Sequence, residues 1–256
     1  MKSVVCAAAA VACALGLPCV LPASASAQVA DWTQGWSGQA TIYGWLPAIN
    51  GSQEGPDGQP LVDLDTSDVL SALDMAFMGA AEFRKDKFGI LLDAVYADLS
   101  ADGTWVQNRV TTEVGTKLGF YTAAVSWRFY DVGGAFIDVY GGARYFDTKV
   151  DFKLGTTNLG TASFSKRLNW TDGIVGIRGG MPLSERWSIA GFADVGGFDS
   201  GSDLSWEVYG GANYAFAERW AGTIGYRYIS IEKSVTDRAT LDIDIQGPLF
   251  GITYKF

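Results

Sequence analysis

The stretch that decides the fold is Gly247-Pro248-Leu249-Phe250-Gly251-Ile252-Thr253-Tyr254-Lys255-Phe256. Side chains of a β-strand alternate between two faces. Phe250, Ile252, Tyr254 and Phe256 therefore share one face, and Gly251, Thr253 and Lys255 share the other. One face is wholly apolar and mostly aromatic; the other is small or polar. Upstream, Leu241, Ile243 and Ile245 have the opposite parity from Ile252, so Gly247-Pro248 is expected to mark a bulge that shifts the register.

The same alternation recurs along the chain. In Trp220–Tyr228, one face holds Trp220, Ile224, Tyr226 and Tyr228, and the other Thr223, Gly225 and Arg227. In Trp206–Phe216, Trp206, Val208, Ala212, Tyr214 and Phe216 oppose Glu207, Tyr209, Gly211 and Asn213. In Ile137–Tyr145, Ile137, Val139, Ala143 and Tyr145 oppose Asp138, Tyr140, Gly142 and Arg144. A soluble sandwich or lipocalin-like barrel places its aromatics inside and its charges outside. The pattern here is the inverse. An Arg or Lys facing lipid at mid-membrane costs about 2–4 kcal/mol, so mid-strand charges must point to a lumen.

Four tight polar turns divide the chain: Arg84-Lys85-Asp86-Lys87, Asp131-Val132-Gly133-Gly134, Ser184-Glu185-Arg186 and Ala217-Glu218-Arg219. An aromatic follows each (Phe88, Phe136, Trp187, Trp220). Longer polar connections fall at roughly 49–74, 101–112, 153–166, 199–204 and 233–240. Short turns with girdle aromatics at one rim and long loops at the other are the layout of an outer-membrane barrel. The expectation is an all-β, single transmembrane antiparallel up-and-down β-barrel of about ten strands, with eight or twelve as neighbouring counts. Both chain ends then lie on the periplasmic side.

Residues 1–27 read as a secretory signal peptide: Lys2, an Ala-rich apolar run, and the small-x-small site Ala25-Ser26-Ala27. Residues 28–256 are then the barrel domain. Cys6, Cys13 and Cys19 all lie in the leader, so the mature chain is expected to have no disulfide, cysteine nucleophile or cysteine metal site. The chain has 9 Trp, 11 Tyr, 14 Phe and 32 Gly, a formal net charge of −9 and no basic cluster. That composition suits strands and argues against nucleic-acid binding.

Two resemblances carry the argument further. A terminal Phe256, an aromatic Tyr254 two residues earlier and Gly251 five before the end resemble the recognition signal of the bacterial outer-membrane assembly machinery, although Leu249 stands where that signal usually has a polar residue. Gly44-Trp45-Leu46-Pro47-Ala48-Ile49-Asn50-Gly51, Asp65 through Gly79, Glu82-Phe83-Arg84-Lys85, Asp93 through Leu99, and Gly142-Ala143-Arg144-Tyr145-Phe146 resemble an uncharacterised family of proteobacterial outer-membrane barrels. The resemblance implies residence in the cell outer membrane, with outer-membrane lipid and the barrel assembly machinery as partners. It implies no activity.

The candidate chemistry sits in the lumen. Parity places Glu82, Arg84, Asp93, Arg128, Asp138, Arg144, Arg178, Asp194, Glu207 and Arg227 inside. Five acids and five bases in a narrow interior are expected to pair. Such a network either fills the barrel or lines a narrow porin-like path for small polar solutes or ions; ten strands lie near the filled end of the size range. The other reading is a non-conducting structural or interaction barrel whose outer loops bind surface lipid or a partner. In the loop 49–74, a short helix capped by Thr66 or Ser67 is expected, with Val69, Leu70 and Leu73 packed over the barrel mouth. Asp63, Asp65 and Asp68 lack calcium-loop spacing and read as solvated acids. No metal and no cofactor is expected. The chain has no histidine, the residue whose pKa best suits general base work near neutrality, and its acids are interleaved with arginine. No enzymatic activity is expected.

Overall fold

The computed structural model describes residues 35–54, 60–105, 110–156, 160–198, 201–236 and 239–256. The expected signal segment with its three cysteines lies outside the described residues. The ordered elements are β1 (Trp36–Trp45), β2 (Ala48–Glu54), β3 (Pro60–Leu64), α1 (Thr66–Ala72), β4 (Leu73–Lys85), β5 (Phe88–Trp105), β6 (Val110–Val132), β7 (Ala135–Thr156), β8 (Gly160–Pro182), β9 (Trp187–Gly197), β10 (Leu204–Ala215), β11 (Trp220–Thr236) and β12 (Ala239–Lys255). Ten of the strands, β1 and β4 through β12, pair antiparallel with their neighbours, and β1 pairs with β12 to close the barrel. Closure satisfies the backbone groups that an open edge would leave bare in lipid.

The outer surface carries the aromatic faces. Trp36, Phe88, Trp127, Trp187, Trp220 and Phe256 are exposed at the rim of the short turns; Phe77, Tyr121, Tyr145 and Trp206 form a second ring. Ile42, Ile90, Val125, Val139, Val175, Val208 and Ile224 are exposed between the rings. An apolar band bounded by two aromatic girdles is the surface of a strand-spanning membrane protein. The tight turn at Gly133-Gly134 uses positive φ at both residues (61° and 81°), which matches the twist of the strands it joins.

The register differs from the sequence expectation in three places. First, there is no bulge at Gly247-Pro248: β12 runs in unbroken register past them, with Arg227 opposite Gly247 and Tyr226 opposite Pro248. Ile243, Ile245 and Leu249 all pack in the interior cluster. The apparent conflict of parity arose because the upper lumen is apolar, so inward residues there look like lipid-facing ones. The break is in the neighbouring strand instead. β1 follows β12 from Lys255 to Leu249, and β2 resumes the same register from Gln246 to Thr240. Leu46 and Pro47 interrupt it, with Leu46 N–H donating to Pro248 O (2.9 Å). At Gly247 a Cβ would lie 2.0 Å from the carbonyl oxygen of Leu46, so only glycine lets the two chains meet there.

Second, the described part of the loop expected at 49–74 is ordered as strand and helix. β2 and β3 form a hairpin attached to β12 outside the closed ring. The helix α1 is present but capped by Asp65, not by Thr66 or Ser67. Asp65 Oδ1 accepts from Asp68 N–H (2.9 Å), and Asp68 Oδ2 accepts from Asp65 N–H (3.2 Å), a reciprocal capping box. Of its expected apolar side, Val69 is buried, Leu70 is exposed and Leu73 is partly buried. Third, the connections expected at 101–112, 153–166 and 233–240 are largely strand, with β5–β8 standing well beyond the membrane band. β7 has 22 residues, whereas a span needs about 9–11. Their polar residues read as loop, but cross-strand pairs such as Lys153–Glu113 (2.9 Å) and Arg167–Asp147 (2.5 Å) dress the outward face of a solvated sheet.

Two outcomes follow. Gly247→Ala forces the β1–β2 junction away from β12 and is expected to cost about 1–3 kcal/mol, seen as a lower temperature for the heat-modifiable gel shift. The hydroxyl of Ser67, followed by the N–H of Asp68, holds the Asp65 carboxyl below its ordinary value. The folded value is depressed, so the cap's contribution is complete above the unfolded value of about 3.9 and is lost as pH falls through the folded one. Faster amide exchange at Asp68 and Val69 below that pH, and not above it, is the expected signature.

Candidate functional site

The lumen holds all ten residues that parity placed there, and they sort into two networks. The lower network, nearer the short-turn rim, comprises Glu82, Arg84, Arg128, Asp138 and Arg178. Asp138 takes all three guanidinium groups: Arg84 Nη2 (2.5 Å), Arg128 Nε (2.8 Å) and Arg178 Nε (2.9 Å). Glu82 Oε1 accepts from Arg84 Nε (3.0 Å) and Arg178 Nη2 (2.5 Å). Arg84 and Asp138 are fully buried.

Asp131 completes this network by accepting from Arg128 Nη1 (3.0 Å). Simple alternation would turn Asp131 outward. A register shift between Arg128 and Tyr130 adds one residue to β6 and turns Asp131 to face Phe136 across the ladder. Phe129 and Tyr130, two consecutive exposed aromatics, are the sequence trace of that bulge.

The middle network comprises Asp93, Arg144, Asp194, Glu207 and Arg227. Arg144 grips Asp194 with two bonds (3.0 and 2.9 Å), the fork geometry that suits a guanidinium. Tyr140 donates to the same carboxylate (2.8 Å). Arg227 donates to Tyr43 (2.8 Å) and Asp93 (3.0 Å), and Tyr43 donates to Asp93 (2.6 Å). Glu207 is fully buried between Arg144 and Arg227, 2.5 Å from each. The two guanidinium groups together hold its carboxylate in place. Asp172, cross-strand from Arg144 and fully buried, was not among the residues assigned to the lumen from the sequence, although it shares the parity of Arg178. It accepts from Ser202 N–H (2.7 Å) and Ser205 hydroxyl (2.8 Å), tying the β9–β10 turn to β8.

Above the middle network the lumen is apolar. Tyr43, Trp45, Met78, Val95, Phe120, Phe146, Ile229, Ile231, Ile245 and Leu249 form one buried cluster. Phe146 is 0 % and Ile229 1 % exposed, so neither touches water. Phe146 stacks on Trp170 (4.9 Å between centroids) and meets Phe120 edge-on (5.4 Å). The Arg227 guanidinium lies 5.2 Å from the Trp45 ring and joins the charged layer to the plug. Below the plug a cavity of about 380 Å³ extends from Tyr43, Arg227 and Leu249 down to rim residues Gly134, Pro182 and Lys255.

The three residues of the C-terminal motif have separate places. Tyr254 packs on Trp220 (4.8 Å) and Phe256 on Phe83 (5.9 Å), both at the short-turn rim. Gly251 faces inward, where a Cβ would lie 2.8 Å from Cβ of Tyr43. Among the described residues no cluster of His, Cys, Asp and Glu has the arrangement of a metal site.

No protein-family model matches the chain, and no curated protein matches it in sequence. Solved structures do match in shape. The outer membrane protease OmpT from Escherichia coli aligns at 10% identity over 88% of this chain and 98% of its own, with a TM-score of 0.55. This chain has the fold of a bacterial outer-membrane β-barrel. The translocator domain of autotransporter NalP from Neisseria meningitidis aligns at 14% identity over 87% of this chain and 89% of its own, with a TM-score of 0.43. The attachment invasion locus protein Ail of Yersinia pestis aligns at 12% identity over 87% and 99%, with a TM-score of 0.38.

The two kinds of ion pair separate in a thermal unfolding series. Arg144→Ala leaves Asp194 and Glu207 short of a buried cation and is expected to cost about 3–5 kcal/mol. Lys153→Ala, at a solvated pair, is expected to cost under about 1 kcal/mol.

Proposed function

We propose that the protein is an outer-membrane barrel that is closed at rest and serves as an interaction scaffold at the cell surface, not as an open porin. The buried plug carries this reading. A conducting path needs a continuous column of water past polar groups. Here Phe146 and Ile229 have essentially no exposure at the level where such a column would leave the barrel. In the two networks beneath, each guanidinium group is paired with a carboxylate.

The extended strands give the scaffold its reach. β5 to β8 carry polar side chains and solvated ion pairs beyond the girdle, on the face that opposes the short turns. In this reading surface lipid or a partner protein meets those walls. Gly251, Tyr254 and Phe256 would be read by the assembly machinery before β12 pairs with β1, since both edges of β12 are occupied once the ring closes. The interior offers no histidine base, and the reading includes no catalytic step.

Planar-bilayer recording tests the closed state. The wild-type barrel is expected to insert without discrete conductance. Phe146→Ala combined with Ile229→Ala hollows the plug and is expected to give stepwise currents. Reproducible unitary conductance from the wild type would overturn the proposal and favour the narrow channel.

A further inference from the structure

The ion-pair network of the lower lumen has equal charges and that of the middle lumen does not; Lys255 stands apart from both, at the mouth. Around Asp138 three guanidinium groups (Arg84, Arg128, Arg178) meet three carboxylates (Glu82, Asp131, Asp138). Around Glu207 two guanidinium groups, Arg144 and Arg227, meet three carboxylates, Asp93, Asp194 and Glu207. Asp172 lies across the ladder from Arg144, and its bonds go to Ser202 and Ser205. A buried charge without a counter-ion is costly, so an excess carboxylate in such a place calls for a cation.

The cavity leads to that excess. It runs from the rim to Asp93, whose side chain is 23% exposed against 1% for Asp194 and 0% for Glu207. Asp93 accepts one bond on each oxygen, from Arg227 and from Tyr43, and a carboxylate has room for about two more. Leu91, Ala124, Phe192 and Tyr209 line one part of the approach, with Phe192 and Tyr209 5.5 Å apart, and Glu82, Arg128 and Arg178 of the lower network line another. A carboxylate at the end of an aromatic pocket is the chemistry that recognises an ammonium group. About 380 Å³ lies in the range of small-molecule sites.

We propose that the cavity below the plug is a binding site for a small amphipathic cation, a primary ammonium with a short apolar tail, which enters from the short-turn rim and seats its charge on Asp93. The plug stops it there, so the site is a receptor pocket and not a stage of passage. Lys255 lines the mouth and has no ion-pair partner among the described residues. It repels such a ligand and would attract an anion, so it reports the sign of the ligand's charge.

Calorimetric titration of the barrel in phosphatidylcholine nanodiscs, with empty nanodiscs subtracted, tests this using hexylammonium, hexanoate and hexanol. Hexylammonium is expected to bind saturably at one site, and hexanol and hexanoate at least tenfold more weakly. Asp93→Asn is expected to weaken hexylammonium tenfold or more while keeping the heat-modifiable shift, because it leaves the middle network with two cations and two anions. Ala124→Leu fills the cavity without touching a charge and is expected to weaken it likewise. Lys255→Gln is expected to hold or tighten it. The proposal fails if hexylammonium gives no saturable heat, if Asp93→Asn and Ala124→Leu both bind it as the wild type does, or if hexanoate binds best and Lys255→Gln abolishes that binding. These readings do not depend on whether the barrel conducts.

Discussion

The pairing of β1 with β12 is the interaction on which the rest of the structure depends. Seven residue pairs, from Gln39–Lys255 to Trp45–Leu249, join the two ends of the chain. Without them each edge strand would present unpaired backbone groups to hydrocarbon, at several kcal/mol per group. Closing the ring also defines an interior. Only then do Arg227 on β11, Asp93 on β5 and Tyr43 on β1 converge, although they are separated by 184 and 134 residues of chain for the two contacts of Arg227.

A narrow interior leaves few ways to fill it. Long charged side chains can occupy a lumen only if each finds its opposite, because water is scarce and the medium screens poorly. The lower layer meets that condition with equal numbers. The middle layer does not, and its Asp93 faces the cavity that both layers line. The upper layer avoids the problem by burying aromatic and aliphatic groups. The barrel is thus stratified along its axis, with balanced ions, unbalanced ions with an accessible carboxylate, and a dry plug.

The stratification explains which parts were legible in the chain. Alternation showed the strands wherever the two faces differed in polarity, as at Trp206–Phe216 and Trp220–Tyr228. It also placed the ten network residues inside, since a charge at mid-strand has nowhere else to go. It misled where the inward face turns apolar and the outward face polar, at Ile243 and Ile245, which alternate with Asp242 and Asp244, and along the extended parts of β6, β7 and β8, where Glu113, Asp147, Lys153 and Arg167 share the outward face. In the first case a continuous strand looked broken; in the second a strand looked like loop. Asp131 was hidden by a one-residue bulge, which period-2 counting cannot anticipate.

The amino-acid sequence by itself determined the class of structure and the inward side of the ten mid-strand charges of the two networks, because both follow from local alternation and from the cost of placing charge in lipid. Its last strand also showed the parity of its faces, with Phe250, Ile252, Tyr254 and Phe256 turned outward. Which charges pair, where the lumen is sealed and where a cavity remains were decided only by the tertiary structure. Those outcomes depend on the stagger between strands distant in the chain, and one residue of stagger, as at Phe129, is enough to turn a side chain from one face to the other.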